Sequence, residues 1–165
     1  MRLVILAKTE PPPKSVWADP DQTARGEWSE IYEGVTNWFC FSNGLRKNHD
    51  LDIIIGSKTL HIRGEHIRYL APPLRSAASL IWHGYNKKQV GISLTDNLNI
   101  EAYQEPYYTF SEYNDTFKVT EINEDGTLFL NPDKELQDKL DLTHVVRIPT
   151  LGQFNSQKLV WFLYR

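Results

Sequence analysis

Apolar positions along the chain follow two periods, and the change from one to the other predicts the elements. From Trp28 to Phe39 they fall at Trp28, Ile31, Tyr32, Val35, Trp38 and Phe39, the i, i+3, i+4, i+7 spacing that lays one stripe of an α-helix against a core. Asn43-Gly44 then stops the helix, with Gly44 expected in the left-handed position beyond its last turn. Arg46 and Lys47 follow, and Leu51-Asp52-Ile53-Ile54-Ile55-Gly56 reads as a strand apolar on nearly every position. Met1-Arg2-Leu3-Val4-Ile5-Leu6-Ala7 reads as a first strand, because its apolar run is too short for a secretion signal.

The rest of the chain yields to the same reading. Pro11, Pro12 and Pro13 stiffen an extended connection, and the polar residues 15–27 predict a long surface loop. Residues 59–63 and 66–70 flank Gly64-Glu65 as the arms of a hairpin. Residues 74–83 have helical spacing ended by Gly84, and 90–94 suit a short strand. Residues 99–110 leave helix and strand both open, with Pro106 as a breaker. Strands are expected at 117–122, 127–130 and 144–148, with a turn at Glu124-Asp125-Gly126 and a helix over 134–142. Residues 156–164 form a helix apolar almost all round, which must be buried in this domain, against a second subunit, or both. Strands alternating with helices predict a single α/β domain over residues 1–165 with a mainly parallel sheet.

Composition removes several function classes. The chain has 165 residues, 41% of them apolar, which suffices for a core of its own. Mean hydropathy is -0.46, and no apolar run approaches the ~18 residues of a membrane span. Cys40 is the one cysteine, so an intramolecular disulfide and a thiolate zinc cluster are excluded; in its aromatic setting it reads as a small buried thiol. Cytoplasmic residence follows from that cysteine usage. The histidines lack metal-ligand spacing, and no phosphate-cradling glycine loop occurs, so neither a metal site nor nucleotide-triphosphate chemistry is expected. The net charge of -3 hides a segregation. Residues 44–75 carry six Lys or Arg against three Asp or Glu, whereas residues 96–141 carry twelve acidic residues against three lysines. A polyanion would be drawn to one segment and repelled by the other.

Met1-Arg2-Leu3-Val4-Ile5-Leu6, the run from Trp28 through Gly44 into Leu45-Arg46-Lys47-Asn48-His49-Asp50-Leu51-Asp52-Ile53-Ile54-Ile55, then Ile62-Arg63-Gly64-Glu65-His66-Ile67-Arg68-Tyr69-Leu70 and Arg75-Ser76-Ala77-Ala78-Ser79-Leu80-Ile81 resemble, in order, the first half of the archaeal tRNA pseudouridine-54 N1-methyltransferase family. Phe154-Asn155-Ser156-Gln157, opening the last helix, is similar to that family's final segment, and Leu130-Asn131-Pro132-Asp133 stands where the family has a loop after a strand. The resemblance implies a SPOUT-like fold, a mainly parallel sheet with a C-terminal trefoil knot, and a homodimer. It implies S-adenosyl-L-methionine as cofactor, held by Thr120, Leu130, Asn131, Ile148, Thr150, Phe154, Ser156, Gln157 and Lys158. It further implies an RNA substrate, tRNA in particular, contacted by Arg46, Lys47, Arg63, Arg68 and Arg75.

In such an enzyme a weakly acidic ring nitrogen attacks a sulfonium methyl, and positioning with assisted proton removal supplies the rate. Asp133 is the candidate for taking that proton, although an Asp before a helix also reads as an N-cap. The chain has Asn131-Pro132 and Ile148-Pro149 where the family places glycine. A proline gives up an N–H and cannot reach positive φ, so a relative that keeps the fold but acts as an RNA-binding or assembly protein is the alternative.

Overall fold

A computed structural model describes residues 1–42, 44–110, 123–130, 132–140, 159–160 and 162–163, and the backbone of 146–148. In chain order the elements are β1 (Arg2–Ala7), α1 (Lys14–Trp17), α2 (Pro20–Thr23), α3 (Gly26–Phe39), β2 (Cys40–Phe41), β3 (Gly44–Leu45), β4 (Asp50–Ile55) and β5 (Lys58–Arg63). There follow α4 (Leu74–Asn86), β6 (Ile92–Thr95), β7 (Tyr107–Phe110), β8 (Thr127–Leu130), α5 (Lys134–Lys139) and β9 (Val146–Ile148).

Seven of the described strands form one sheet in the order β6-β5-β4-β1-β8-β7-β9. The five strands from β4 to β9 run parallel, while β5 and β6 are antiparallel additions at one edge. Ile5 at the centre pairs with Ile53 on one side and Leu130 on the other. Alternation along each strand sorts side chains to two faces. Leu3, Ile5, Leu51, Ile53, Leu128 and Tyr108 meet α3 and α4 in the larger core. Val4, Ile54, Phe129 and Tyr107 meet Leu136 and Leu140 on the smaller face. Leu159 and Phe162, in the helix expected near the end of the chain, are buried in the larger core, and the Phe162 ring lies 6.5 Å from Trp38 and 6.3 Å from Tyr108.

The periodic stretches behave as expected; glycines and the polar stretch do not. α3 ends at Phe39 with Cys40 already extended, and Gly44 pairs with Phe41 in a small β2-β3 ribbon instead of taking a left-handed φ. The hairpin lies at Gly56-Ser57, where Gly56 has φ 60°, and not at Gly64-Glu65. Gly64 is needed because its backbone closes on the His49 carbonyl, leaving no room for a Cβ. Gly64–His66 form a 3-10 turn, and residues 67–70 form no strand. Gly84 does not end α4, which runs on to Asn86; it lets the helix approach β6, since a Cβ there would lie 2.5 Å from Ile92 Cγ2. Within the expected loop 15–27, Asp19 caps α2 by accepting from Asp21 N at 2.9 Å, and Trp17 and Thr23 are buried. The strand expected at 117–122 lies outside the described residues, as do the segments whose threading a trefoil knot would need.

Candidate functional site

Strand order decides where a ligand can enter. β1 leads through α3 to β4 on one side, whereas β8 leads through α5 toward β9 on the other. Neighbouring parallel strands whose exits diverge leave a crevice at their carboxyl ends, the usual ligand site of open α/β sheets. A cleft of about 890 Å³ opens there, with Ile5, Leu6, Ile31, Ile54 and Leu130 among its apolar walls and Glu27, Glu30, Asp133 and Glu135 among its acidic ones. A second hollow of about 630 Å³ shares Leu6, Ile54, Gly56, Asp133 and Glu135 with it and extends to Asp96 and Lys139.

Local chemistry holds these carboxylates. Glu27, in the first turn of α3, accepts from Lys8 N at 2.5 Å and from Thr9 Oγ1 at 3.0 Å, and Trp28 Nε1 donates to the same Thr9 hydroxyl at 3.0 Å. The exit of β1 is thereby pinned to α3. Asp133 caps α5, its Oδ1 accepting from Leu136 N at 2.8 Å. Gln137 Nε2 donates to the Pro132 carbonyl at 2.6 Å, tying the loop after β8 to the same helix. The Lys139 ammonium on Glu135 Oε1, 2.5 Å away, pulls that carboxyl below its usual range.

Of the expected cofactor residues, Leu130 lines the cleft and Ile148 ends β9 at the same edge of the sheet. The register shows this, because Thr109 of β7 pairs with both Phe129 and Arg147. Thr120, Asn131, Thr150, Phe154, Ser156, Gln157 and Lys158 lie outside the described residues. Sequence reasoning missed the opposite wall, Lys8, Glu27 and Glu30, because only the strand order brings α3 to this edge.

The expected RNA-contacting cations are not brought to the cleft. Arg46 donates to the carbonyls of Asn37 (3.1 Å), Trp38 (3.3 Å) and Cys40 (2.9 Å), closing the C-terminal end of α3. Its guanidinium also lies over the Phe41 ring. Lys47 donates to the Ile67 carbonyl, and Arg63 stands 3.9 Å from Asp50. These three gather near the start of β4, about 17 Å from the cleft at ~3.3 Å per strand residue. Arg68 and Arg75 are exposed elsewhere. His49, beside Arg46, is lowered to about 4, chiefly by burial and then by the N-terminal ammonium and Arg46. Burial raises the Cys40 thiol, which fits a packing role.

A polar cluster on the smaller face also escaped the sequence reading. Asp52, buried, meets His61 Nδ1 at 2.8 Å and Arg2 at 3.8 Å, and His61 Nε2 lies 3.0 Å from Thr95 Oγ1. The Tyr103 hydroxyl is held above its ordinary range by burial and then by the Asp52 charge. Its only signal in sequence is an aspartate inside an apolar strand. Among the described residues no group of three His, Cys, Asp or Glu could hold a metal ion, and no helix is long and apolar enough to cross a membrane.

No protein-family model and no curated protein sequence matches the chain. Among solved structures, the chain is similar to the crystal structure of Archaeoglobus fulgidus Nep1 bound to S-adenosylhomocysteine, with a TM-score of 0.63 and 10% identity over 98% of this chain and 94% of that one. The likeness is one of fold: the mixed α/β, mainly parallel, SPOUT-like architecture that the resemblance implies.

Proposed function

We propose that the chain is an S-adenosylmethionine-dependent RNA methyltransferase whose acceptor is N1 of pseudouridine in tRNA. It works as a cytoplasmic homodimer joined through its apolar last helix, with the segments around Leu130, Ile148 and Ser156 wound into a trefoil knot. The observation that carries this reading is the crevice between the diverging exits of β1 and β8, bordered by Leu130 and Asp133, in a fold shared with a protein crystallised with S-adenosylhomocysteine.

The residues present suit the cofactor. A cleft of about 890 Å³ lies in the size range of small-molecule sites, and Ile5, Leu6, Ile54 and Leu130 offer apolar walls to a nucleoside. Glu27, Glu30 and Asp133 offer acceptors to ribose hydroxyls and a negative field to a sulfonium. The segments of Thr120, Asn131, Thr150, Phe154, Ser156, Gln157 and Lys158 would close around it. When bound, the cofactor supplies an electrophilic methyl group. The chain supplies the rest: it orients the base, excludes water, and takes the ring proton at Asp133 Oδ2, the oxygen the helix cap leaves over.

Calorimetric titration with S-adenosylmethionine and with S-adenosylhomocysteine tests the reading. Binding with saturable heat is expected, and silence at millimolar cofactor would remove the enzyme. The alternative, an RNA-binding or assembly protein on the same fold, is favoured by one observation: Glu27 and Asp133 already use carboxylate oxygens within the protein. RNA binding without cofactor binding would select it.

A further inference from the structure

A cavity of about 550 Å³ lies away from the cleft, between residue 69, the outer side of α4 and the turn into β6. Its wall includes Tyr69, 87% exposed and the most exposed of the described large hydrophobic residues. Lys87, Lys88 and His83 line it, and among the described residues no carboxylate does. Lys87 Nζ is held 5.6 Å from the centre of the Trp82 ring. His83 Nδ1 faces the Ser79 carbonyl at 2.7 Å; a carbonyl only accepts, so Nδ1 carries a proton. Gln89 also lines it. Arg68 and Arg75, both exposed, adjoin Tyr69 and Ser76 of the wall in sequence.

A solvent-exposed aromatic ring beside cations has a specific use. Proteins that hold single-stranded nucleic acid stack unpaired bases on such rings and track the phosphates with lysine and arginine. We propose that this cavity binds one unstacked nucleotide of a single-stranded RNA segment: the base lies on Tyr69, and Lys87 and Lys88 take the flanking phosphates. The inference rests on the RNA reading of the preceding section and places a nucleotide outside the cleft, on residues that reading did not use.

The test is fluorescence anisotropy of a labelled ten-nucleotide single-stranded RNA with the full chain at 50 and 200 mM salt. Tyr69→Ala weakens binding about tenfold while Tyr69→Phe does not, in keeping with stacking of one base. Lys87→Ala with Lys88→Ala lowers the slope of log K against log salt by about 1.4. Undiminished binding by Tyr69→Ala, an unchanged salt slope in the lysine variant, or equal competition by a blunt RNA duplex overturns the proposal. Cofactor titration of the same preparations keeps the two readings apart. Tyr69-dependent RNA binding without cofactor binding leaves this inference standing and removes the methyltransferase; cofactor binding with Tyr69-independent RNA binding does the reverse.

Discussion

The two ends of the parallel strands treat charge in opposite ways. At the carboxyl ends, Glu27, Glu30, Asp133 and Glu135 stand around an open cleft. At the amino ends Arg46, Lys47 and Arg63 are tied to carbonyls of Asn37, Trp38, Cys40 and Ile67 or to Asp50. A cation satisfying helix-end carbonyls is structural first, since the last carbonyls of a helix have no partner within it. The charge that a segment carries in sequence therefore overstates what it can offer to a polyanion.

Arg46→Ala should break the contrast most. It leaves three carbonyls at the end of α3 without their donor, and chemical denaturation should show a loss of about 3 kcal/mol. An unchanged midpoint with weakened RNA binding would instead return Arg46 to the RNA surface. Acid supplies the next effect. Unfolded His49 protonates near 6.5 but the folded chain resists until about 4, so the unfolded state binds more protons in that window and stability falls as pH drops through it. The His49 share is about 2 kcal/mol, and His49→Gln should flatten that part of a stability-against-pH curve.

Asp133 separates cap from chemistry at the other end. Asp133→Ala should cost about 1 kcal/mol, whereas Asp133→Asn keeps the cap and should be nearly neutral. If Oδ2 takes the proton, the Asn variant nevertheless loses about 100-fold in methyl transfer. Full activity in Asp133→Asn would reduce Asp133 to a cap. The smallest effect belongs to Glu135→Gln: its exposed pair with Lys139 should leave the thermal midpoint where it was.

Elements whose side chains repeat with one period were legible in sequence. β4 lies within one residue of its expected bounds and α3 within two at its start, because an apolar stripe and a continuous apolar run each admit one solution. The end of α3 comes at Phe39, short of the expected stop at Asn43-Gly44. Glycines were less legible, since the same residue serves a turn at Gly56 and a close approach at Gly64 and Gly84. Only the neighbouring chain distinguishes those uses. At the candidate site, Leu130 and Asp133 could be named through the family resemblance of Leu130-Asn131-Pro132-Asp133. Glu27 and Glu30 could not, because what joins them to the cleft is the reversal of strand order at β1, a property of the sheet and of no local segment. The internal employment of Arg46 was hidden for a like reason: a basic residue after a helix looks the same whether it turns back on the helix or outward.

Leu159 and Phe162 fill the core beneath α3, where a Cβ on Gly34 would sit 3.6 Å from Leu159. On the ribosome that plug emerges after every strand and helix it packs against has been made. Until that helix is made, the core around Trp38 and Tyr108 cannot close, so an incomplete nascent chain exposes apolar surface there.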